Sequence, residues 1–350
     1  MRIERIRRGH RPPHDLTGAV LARDVVAGED RLPKGRRLTA AEIDSILSDG
    51  PLDGVTVIIP TTGDLHEDEA ALRLAGAMAG GGLELRGPSE SRVDLVAAVR
   101  GVARIRAKDI ERLARIDPIG PFSILDGQIV DVGELVASVK VAPHVVASGP
   151  VEAGETLLRR TGPIVSVEPF ARRRIGALVK ESLPASARAR FERSVIDKVA
   201  WLGSDLVGFR YASDDPAELD AALASLVRGS GGAEIVLAAG AGSSDPADPL
   251  FLAIERAGGR IVRQGVPAHP GSMLWIGRVR RTTILGLPSC GAYSRAGAAD
   301  LLLPWILAGA PASARTAARL AYGGVLSREM RFRFPAYARE VVPASRDADG

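Results

Sequence analysis

A chain of 350 residues with 46% hydrophobic and 25% charged residues has a globular composition and is long enough for two or three domains. One cysteine excludes an internal disulfide scaffold, and five scattered histidines argue against a histidine-built metal site. The net charge is only +4, and aromatic residues make up 4% of the chain. The sequence therefore has few aromatic side chains on which the bases of a nucleic acid could stack, and we expect no nucleic-acid partner.

Residues 1–80 predict a small α/β region. Thr39 and Glu42 have the spacing of a capping box, which predicts a helix that begins after Thr39. The β-branched run at 55–59 predicts a strand, and residues 65–79 predict a second helix. We treat this region as the first domain.

The pattern changes between residues 83 and 170. We predict a helix near 92–102, short β-like pieces at 122–127 and 128–143, and a turn at 151–154. Strands without intervening helices indicate a second domain that is small, mixed and rich in β-structure.

Residues 171–312 alternate between strands and helices, and a C-terminal tail at 313–350 follows. This alternation predicts an α/β fold, a three-layer, doubly wound, mostly parallel sheet. Such sheets bind ligands beyond the carboxyl ends of their strands, so the loops there are the candidate site. The predicted strands are 175–182, 206–212, 234–240 and 261–265 with a hairpin at 273–288, and the predicted helices are 184–202, 216–228, 250–257 and 292–308.

The loop after the third of these strands combines small, hydroxyl and acidic residues. Its glycines let the backbone approach a ligand, and it leads to a helix N-terminus, which favours anions. It is neither a GxGxxG fingerprint nor a Walker A loop, and a plain βα turn with an Asx cap is the alternative. The candidates are Gly240, Gly242, Ser243, Ser244, Asp245 and Asp248.

Four further strand-end segments complete the candidate set, and Asp214-Asp215 is one of them. Asp214 and Asp215 have two interpretations. In the first, the pair serves only to cap the following helix. In the second, one aspartate caps the helix and the other faces the ligand cleft. Cys290 could be a nucleophile, but no base stands near it in sequence, so a structural thiol is the alternative. His269 is either held by the backbone or contacts ligand. The other three segments are Lys180-Glu181-Ser182, His269-Pro270-Gly271 and Pro288-Ser289-Cys290.

Taken in order, these loops resemble the molybdopterin-binding domain shared by MoeA-, MogA- and MoaB-type proteins, and residues 16–47 resemble the opening of MoeA-type proteins. The stretch 239–248 matches the family's loop at Gly240, Ser243, Pro246 and Asp248, and Asp214-Asp215 resembles its double aspartate. Segments 269–271 and 287–290 resemble its KPG and LPGNP motifs. Ala239 and Ala241 depart from the family pattern.

The resemblance implies that the chain binds molybdopterin in molybdenum cofactor biosynthesis or delivery. If the chain is a transferase, adenylyl transfer or molybdate insertion uses ATP and Mg²⁺, with Asp214 and Asp248 as metal ligands and Asp215 as a further catalytic residue. Glu181 or Asp215 would accept hydrogen bonds from the pterin. In the alternative interpretation, the chain is a non-catalytic carrier or chaperone for a molybdoenzyme. A domain that binds another nucleotide, or serves only in protein interactions, is the third possibility.

The remaining expectations concern location and assembly. No apolar segment follows the charged N-terminus, and residues 301–312 are too short and too interrupted by proline to span a bilayer. We therefore expect a cytoplasmic chain with no membrane contact. The resemblance further implies a homo-oligomer and a partner among molybdoenzymes or cofactor-biosynthesis proteins. The apolar helix at 301–307 either forms the interface or packs in the core.

Overall fold

The computed structural model describes residues 1–180, 185–228, 231–241, 244–288 and 296–340. The chain forms two compact units. Unit 1 comprises residues 1–99, 103–126 and 132–167, and unit 2 comprises 100–102, 127–131 and the chain from 168 onward. Within the described residues, no helix is both long and apolar enough to cross a membrane.

Unit 1 is built from small antiparallel sheets with helices packed on them. The strands are β1 (Arg2–Ile6), β2 (Val20–Leu21), β3 (Val25–Ala27), β4 (Asp30–Leu32), β5 (Val55–Ile59), β6 (Asp64–His66), β7 (Leu83–Ser89), β8 (Arg92–Ala97), β10 (Ile119–Ser123), β12 (Leu135–Val141) and β13 (Val145–Ala147). They form sheets with the strand orders β1-β5-β2, β10-β12-β8-β7, β13-β6 and β3-β4. The helices are α1 (Ala40–Asp49), α2 (Glu67–Met78), α3 (Ala107–Ala114) and α4 (Ser148–Thr161).

Two predictions within unit 1 are wrong. The helix predicted near 92–102 is instead β8 and the start of β9 (Gly101–Ile105), because β8 pairs with a strand on either side and buries Val93 and Leu95 alternately. The turn predicted at 151–154 lies inside α4, because tertiary packing there outweighs the low helix propensity of glycine. A Cβ at Gly154 would stand 2.9 Å from Leu74 Cδ2, so this glycine permits the close approach of α4 to α2.

The local signals in the first 80 residues are confirmed. The Thr39 side chain accepts a hydrogen bond from the Glu42 backbone, and the Glu42 carboxylate accepts one from the Thr39 backbone. This is the predicted capping box, and it begins α1. The strand at 55–59 and the helix at 67–78 also form where the sequence predicts them.

Unit 2 is a three-layer α/β domain around a six-stranded sheet. The strands of this sheet are β15 (Arg174–Val179), β16 (Asp205–Tyr211), β17 (Ile235–Ala239), β18 (Arg260–Arg263), β19 (Trp275–Val279) and β20 (Thr282–Leu287). Outside the sheet, β11 (Ile129–Val130) belongs to unit 2, and β14 (Val165–Pro169) begins in unit 1 and ends in unit 2. The strand order is β16-β15-β17-β20-β19-β18. The four strands β16, β15, β17 and β20 are parallel, and β19 is antiparallel to both of its neighbours. This confirms the doubly wound, mostly parallel sheet.

Helices cover both faces of the sheet. The longer ones are α5 (Ala185–Trp201), α6 (Pro216–Val227), α7 (Pro249–Arg256) and α8 (Ala299–Leu307). Successive residues of β17 alternate between two cores, as the period of a strand requires: Leu237 faces the core that contains α5 and α8, and Val236 faces the core that contains α6 and α7. The apolar stretch 301–307 packs in the first of these cores rather than at a surface.

Short helices follow α8: α9 (Ala314–Ala318), a 3₁₀ helix (Arg328–Arg333) and α10 (Ala336–Arg339). Leu320 and Phe334 from this region are buried in the core shared with α5 and α8. The described residues of the C-terminal segment are therefore part of the packing of unit 2. The division of the chain into four segments at 80, 170 and 312 remains a prediction.

Candidate functional site

The strand order places a topological switch point between β15 and β17. From β15 the chain crosses outward to β16, and from β16 it returns past β15 to β17. Ligands of open α/β sheets bind in the crevice at the carboxyl end of such a switch point. Lys180 follows β15 there, and its backbone N–H donates to the Ala239 carbonyl at the end of β17 over 2.9 Å.

An ion triad joins three adjacent strand ends at this point. The Lys180 ammonium lies 2.9 Å from Asp214 Oδ1 and 3.1 Å from Asp248 Oδ2. The Lys180 and Asp248 side chains are 8% and 7% exposed, whereas Asp214 is 68% exposed. The triad is therefore a buried ion pair with one solvent-facing carboxylate. Asp214 and Asp248, which the sequence paired as metal ligands, do lie close together, on either side of this lysine.

Burial and ion pairing act on Lys180 in opposite directions. Burial lowers the pKa of its ammonium, but hydrogen bonds and charge from Asp214 and Asp248 raise it further, so the net shift is above the ordinary value. Lys180 thus remains protonated at neutral pH and holds the two carboxylates in place.

The triad predicts a specific alkaline response. Because the pKa of Lys180 is higher in the folded state, its contribution to stability is fully present below about pH 10.4 and is lost as the pH rises through the folded value. We expect the difference in free energy of unfolding between the wild type and Lys180→Met to be constant from pH 7 to about pH 9 and to shrink above about pH 10.4. Urea unfolding across this range measures it, and a difference that stays constant to the highest pH would contradict the assignment.

Asp248 also begins α7. Its Oδ1 accepts the Leu250 N–H at 2.9 Å, and its carbonyl accepts the N–H groups of Phe251 and Leu252. Pro249 has no N–H to offer. The N–H groups of Leu250, Phe251 and Leu252 in the first turn of α7 therefore all donate to Asp248. None of these three groups is left to bind an external anion, contrary to the expectation for this helix N-terminus.

The two aspartates after β16 divide their roles. Asp215 is the N-cap of α6, with Oδ1 accepting from the N–H groups of Ala217 and Glu218 at 2.9 and 3.0 Å. Pro216 occupies the first helical position, as the capping interpretation predicted. Asp214 does not cap the helix; its exposed side chain pairs with Lys180, and its contact with a ligand stays a prediction.

The loop after β17 begins with a left-handed residue, Gly240, at φ +88°. The Trp275 indole fixes the next residue by donating to the Ala241 carbonyl over 3.0 Å. Farther on, Asp245 forms a turn by accepting the Ala247 N–H at 2.9 Å. Ser244 and Asp245 are exposed, and within the described part of the chain their backbone N–H groups have no acceptor. These two N–H groups are therefore available as hydrogen-bond donors within the described part of the loop.

The His269-Pro270-Gly271 segment supports α8. The Pro270 carbonyl accepts the Ala298 N–H at 3.1 Å, and a Cβ at Gly271 (φ +106°) would approach Ala298 N to 2.7 Å. His269 pairs through its backbone with the chain at 324–326. Glycine is required by this close contact. The backbone pairing matches the structural alternative for His269, while its ligand contact stays a prediction.

Several candidates fall outside the described residues, so their roles remain predictions. Pro288 is described; it follows β20 and is partly exposed. The candidates outside the described ranges are Glu181, Ser182, Gly242, Ser243, Ser289 and Cys290.

The described carboxylates do not fit a resident Mg²⁺ in this arrangement. The ammonium of Lys180 already lies between Asp214 and Asp248 where a cation would lie, and the second oxygen of Asp248 caps α7. Over the described ranges, no group of three or more His, Cys, Asp or Glu side chains could hold a metal ion. Mg²⁺ prefers six oxygen ligands at short distances, which an ammonium-bridged pair does not offer.

Lys180 was predicted only as a polar residue of a strand-end segment, with no chemical role of its own. One signal could have found it, because the chain has 46 Lys and Arg residues and only five of them are lysine. Because this chain almost always uses arginine as its basic residue, a lysine at a predicted strand end indicates a position that needs the compact charge of an ammonium group. Lys198, another of the five, also forms a buried ion pair, 2.9 Å from Asp300.

The strand order and the helices on both faces of the sheet define unit 2 as a domain of the open α/β class, in which ligands generally bind beyond the carboxyl ends of the strands. Residues 180–308 match the model of the family described as a probable molybdopterin binding domain. No curated protein sequence matches the chain.

Three solved structures are similar to the chain at low identity. The molybdopterin biosynthesis MoeA protein from Pyrococcus horikosii is 16% identical, with 73% of this chain and 80% of that chain covered and a TM-score of 0.28. The molybdopterin biosynthesis enzyme MoaB from Thermus thermophilus is 18% identical, with 40% and 99% covered and a TM-score of 0.29. A molybdenum cofactor biosynthesis protein B is 13% identical, with 36% and 85% covered and a TM-score of 0.26. Likenesses at this level carry no argument about function.

Proposed function

We propose that unit 2 binds molybdopterin at the carboxyl edge of its sheet and serves molybdenum cofactor biosynthesis or delivery as a carrier rather than as a Mg²⁺-dependent transferase. The family match to residues 180–308 supports the ligand. The observation that carries the non-catalytic role is the Lys180 ammonium between Asp214 and Asp248, in the position that a catalytic cation would need.

The ligand has two parts that the described residues can recognise. The N–H groups of Ser244 and Asp245, which have no acceptor among the described residues, and the Ser244 hydroxyl suit a terminal phosphate, since backbone amides in a glycine-containing loop bind phosphate oxygens. The exposed carboxylate of Asp214 uses only Oδ1 for Lys180, so its other oxygen can accept hydrogen bonds from the pterin ring. The dithiolene sulfurs belong to the ligand, which fits a protein with a single cysteine.

Anaerobic titration calorimetry with molybdopterin tests the proposal. We expect micromolar binding, with a Kd on the order of 1–10 µM, that is unchanged by EDTA and produces no AMP transfer when ATP and Mg²⁺ are added. Asp214→Asn should weaken binding about tenfold, because a charged hydrogen-bond acceptor is worth about 1.5 kcal/mol or more.

Asp215→Asn is the matched control for this variant, because asparagine caps helices as well as aspartate does. It should bind like the wild type. Absence of binding by the full-length wild-type chain would overturn the proposal. Binding with Mg²⁺-dependent turnover would instead establish the transferase, with a displaced Lys180, and overturn the carrier role.

A further inference from the structure

A second cleft lies at the amino edge of the unit 2 sheet, at the opposite ends of the strands from the ion triad. Its volume is about 680 Å³, a size that suits a small-molecule ligand. It is bounded by the first residues of β15, β17 and β20 and by the turn between β19 and β20. Neither the family match nor the proposed function assigns it a role.

Arginines dominate its lining. Arg173 and Arg174 come from the start of β15, and Arg280 and Arg281 form the β19–β20 turn. Glu234 is the single acidic residue among the described residues of the lining, and it lies 2.8 Å from Arg173 Nη1 and 3.5 Å from Arg174 Nη1. It also accepts the Arg174 backbone N–H at 3.1 Å. This carboxylate therefore orients two of the four guanidinium groups.

The other two guanidinium groups are unused. Arg280 and Arg281 are exposed, and neither forms a hydrogen bond or an ion pair with any described residue. Two helices, α6 and α8, also end at this cleft, and each helix C-terminus contributes about half a negative charge. Glu234 and the two helix C-termini together contribute about two negative charges. The four arginines contribute four positive charges, so the cleft has a residual charge of about +2.

The turn itself provides a second, independent observation. Val279 pairs with Thr282, so Arg280 and Arg281 are the two central residues of a tight hairpin. Arg280 has φ +52°, a left-handed conformation that two-residue hairpins normally assign to Gly, Asn or Asp. A long cationic side chain at this position goes against local turn preference. Such backbone strain clusters at functional sites, where another requirement selects the residue.

We propose that this cleft binds a small phosphorylated molecule through its phosphate monoester dianion. Guanidinium groups match phosphate oxygens in both charge and fork geometry, and the residual charge of about +2 matches a dianion. The partly exposed side chains of Val227 and Ile306 form an apolar wall against which the rest of the molecule packs. This site is independent of molybdopterin binding at the other edge of the sheet.

Titration calorimetry of the full-length chain with inorganic phosphate and glycerol phosphate, at constant ionic strength and pH 8, tests the proposal. We expect millimolar or tighter binding of both, and at least tenfold weaker binding in Arg280→Gly and in Arg281→Gln, since each loses a charged hydrogen-bond donor. Arg280→Gly suits its backbone conformation, so its thermal unfolding temperature should be equal to or above that of the wild type.

Arg193→Gln is the charge-matched control, because Arg193 is exposed on α5 and does not line the cleft. It should bind both probes like the wild type. No binding by the wild type, or equal binding by the wild type and both cleft variants, would overturn the proposal. Binding that is lost in Ser244→Ala but retained in both cleft variants would place the phosphate at the carboxyl edge and would also overturn it.

Discussion

Asp248→Ala is expected to lower the free energy of unfolding of unit 2 by about 3 kcal/mol, because the change removes a helix cap and one partner of a buried charge. The capping bond to Leu250 N accounts for about 1 kcal/mol. The remainder comes from leaving the Lys180 ammonium, 8% exposed, with only the solvent-facing Asp214. Asp248→Asn should recover the capping part, since asparagine is a good N-cap.

Urea unfolding followed by tryptophan fluorescence measures this effect in the right part of the chain. All three tryptophans, Trp201, Trp275 and Trp305, lie in unit 2. Asp220→Ala is the matched control, because Asp220 pairs with Arg256 on the surface and exposed pairs add little. Equal stability of Asp248→Ala and the wild type would show that the triad contributes nothing to stability. An equal loss of unfolding free energy in the Ala and Asn variants would show that the helix cap contributes nothing.

Lys180→Met is expected to make the stability of unit 2 depend on divalent cations. Methionine keeps much of the length but removes the charge, so the buried Asp248 carboxylate and Asp214 are left facing each other at a cost of about 3 kcal/mol. A divalent cation can then enter between them. At about ten times its Kd, Mg²⁺ or Ca²⁺ should restore about 1.4 kcal/mol, whereas the wild type should not respond.

Lys198→Met is the control for this experiment. Lys198 is also a largely buried lysine in unit 2, but among the described residues its acidic partner is the single carboxylate of Asp300. That variant should lose stability without recovery in Mg²⁺, because one carboxylate is a poor divalent site. Equal stabilisation of the wild type and Lys180→Met by Mg²⁺ would show that the lysine does not occupy the cation position.

Much of unit 2 could be predicted from sequence because its elements are long and strongly patterned. Buried parallel strands are nearly continuous apolar runs, and the helices begin at recognisable caps such as Asp215-Pro216. The strand at 92–97 was missed because its apolar residues fit a helix period as well as a strand period. Only its pairing with β7 and β12 decides between the two.

The site divides in the same way. The sequence alone located the strand-end loops and, through the order of their motifs, the molybdopterin-binding family, since both depend on local residue types and spacing. It could not determine that Lys180 lies between Asp214 and Asp248, residues 34 and 68 positions away, or that four arginines meet at the opposite edge of the sheet. Charge acts through space rather than along the chain, so the tertiary structure decided which cation the two aspartates hold.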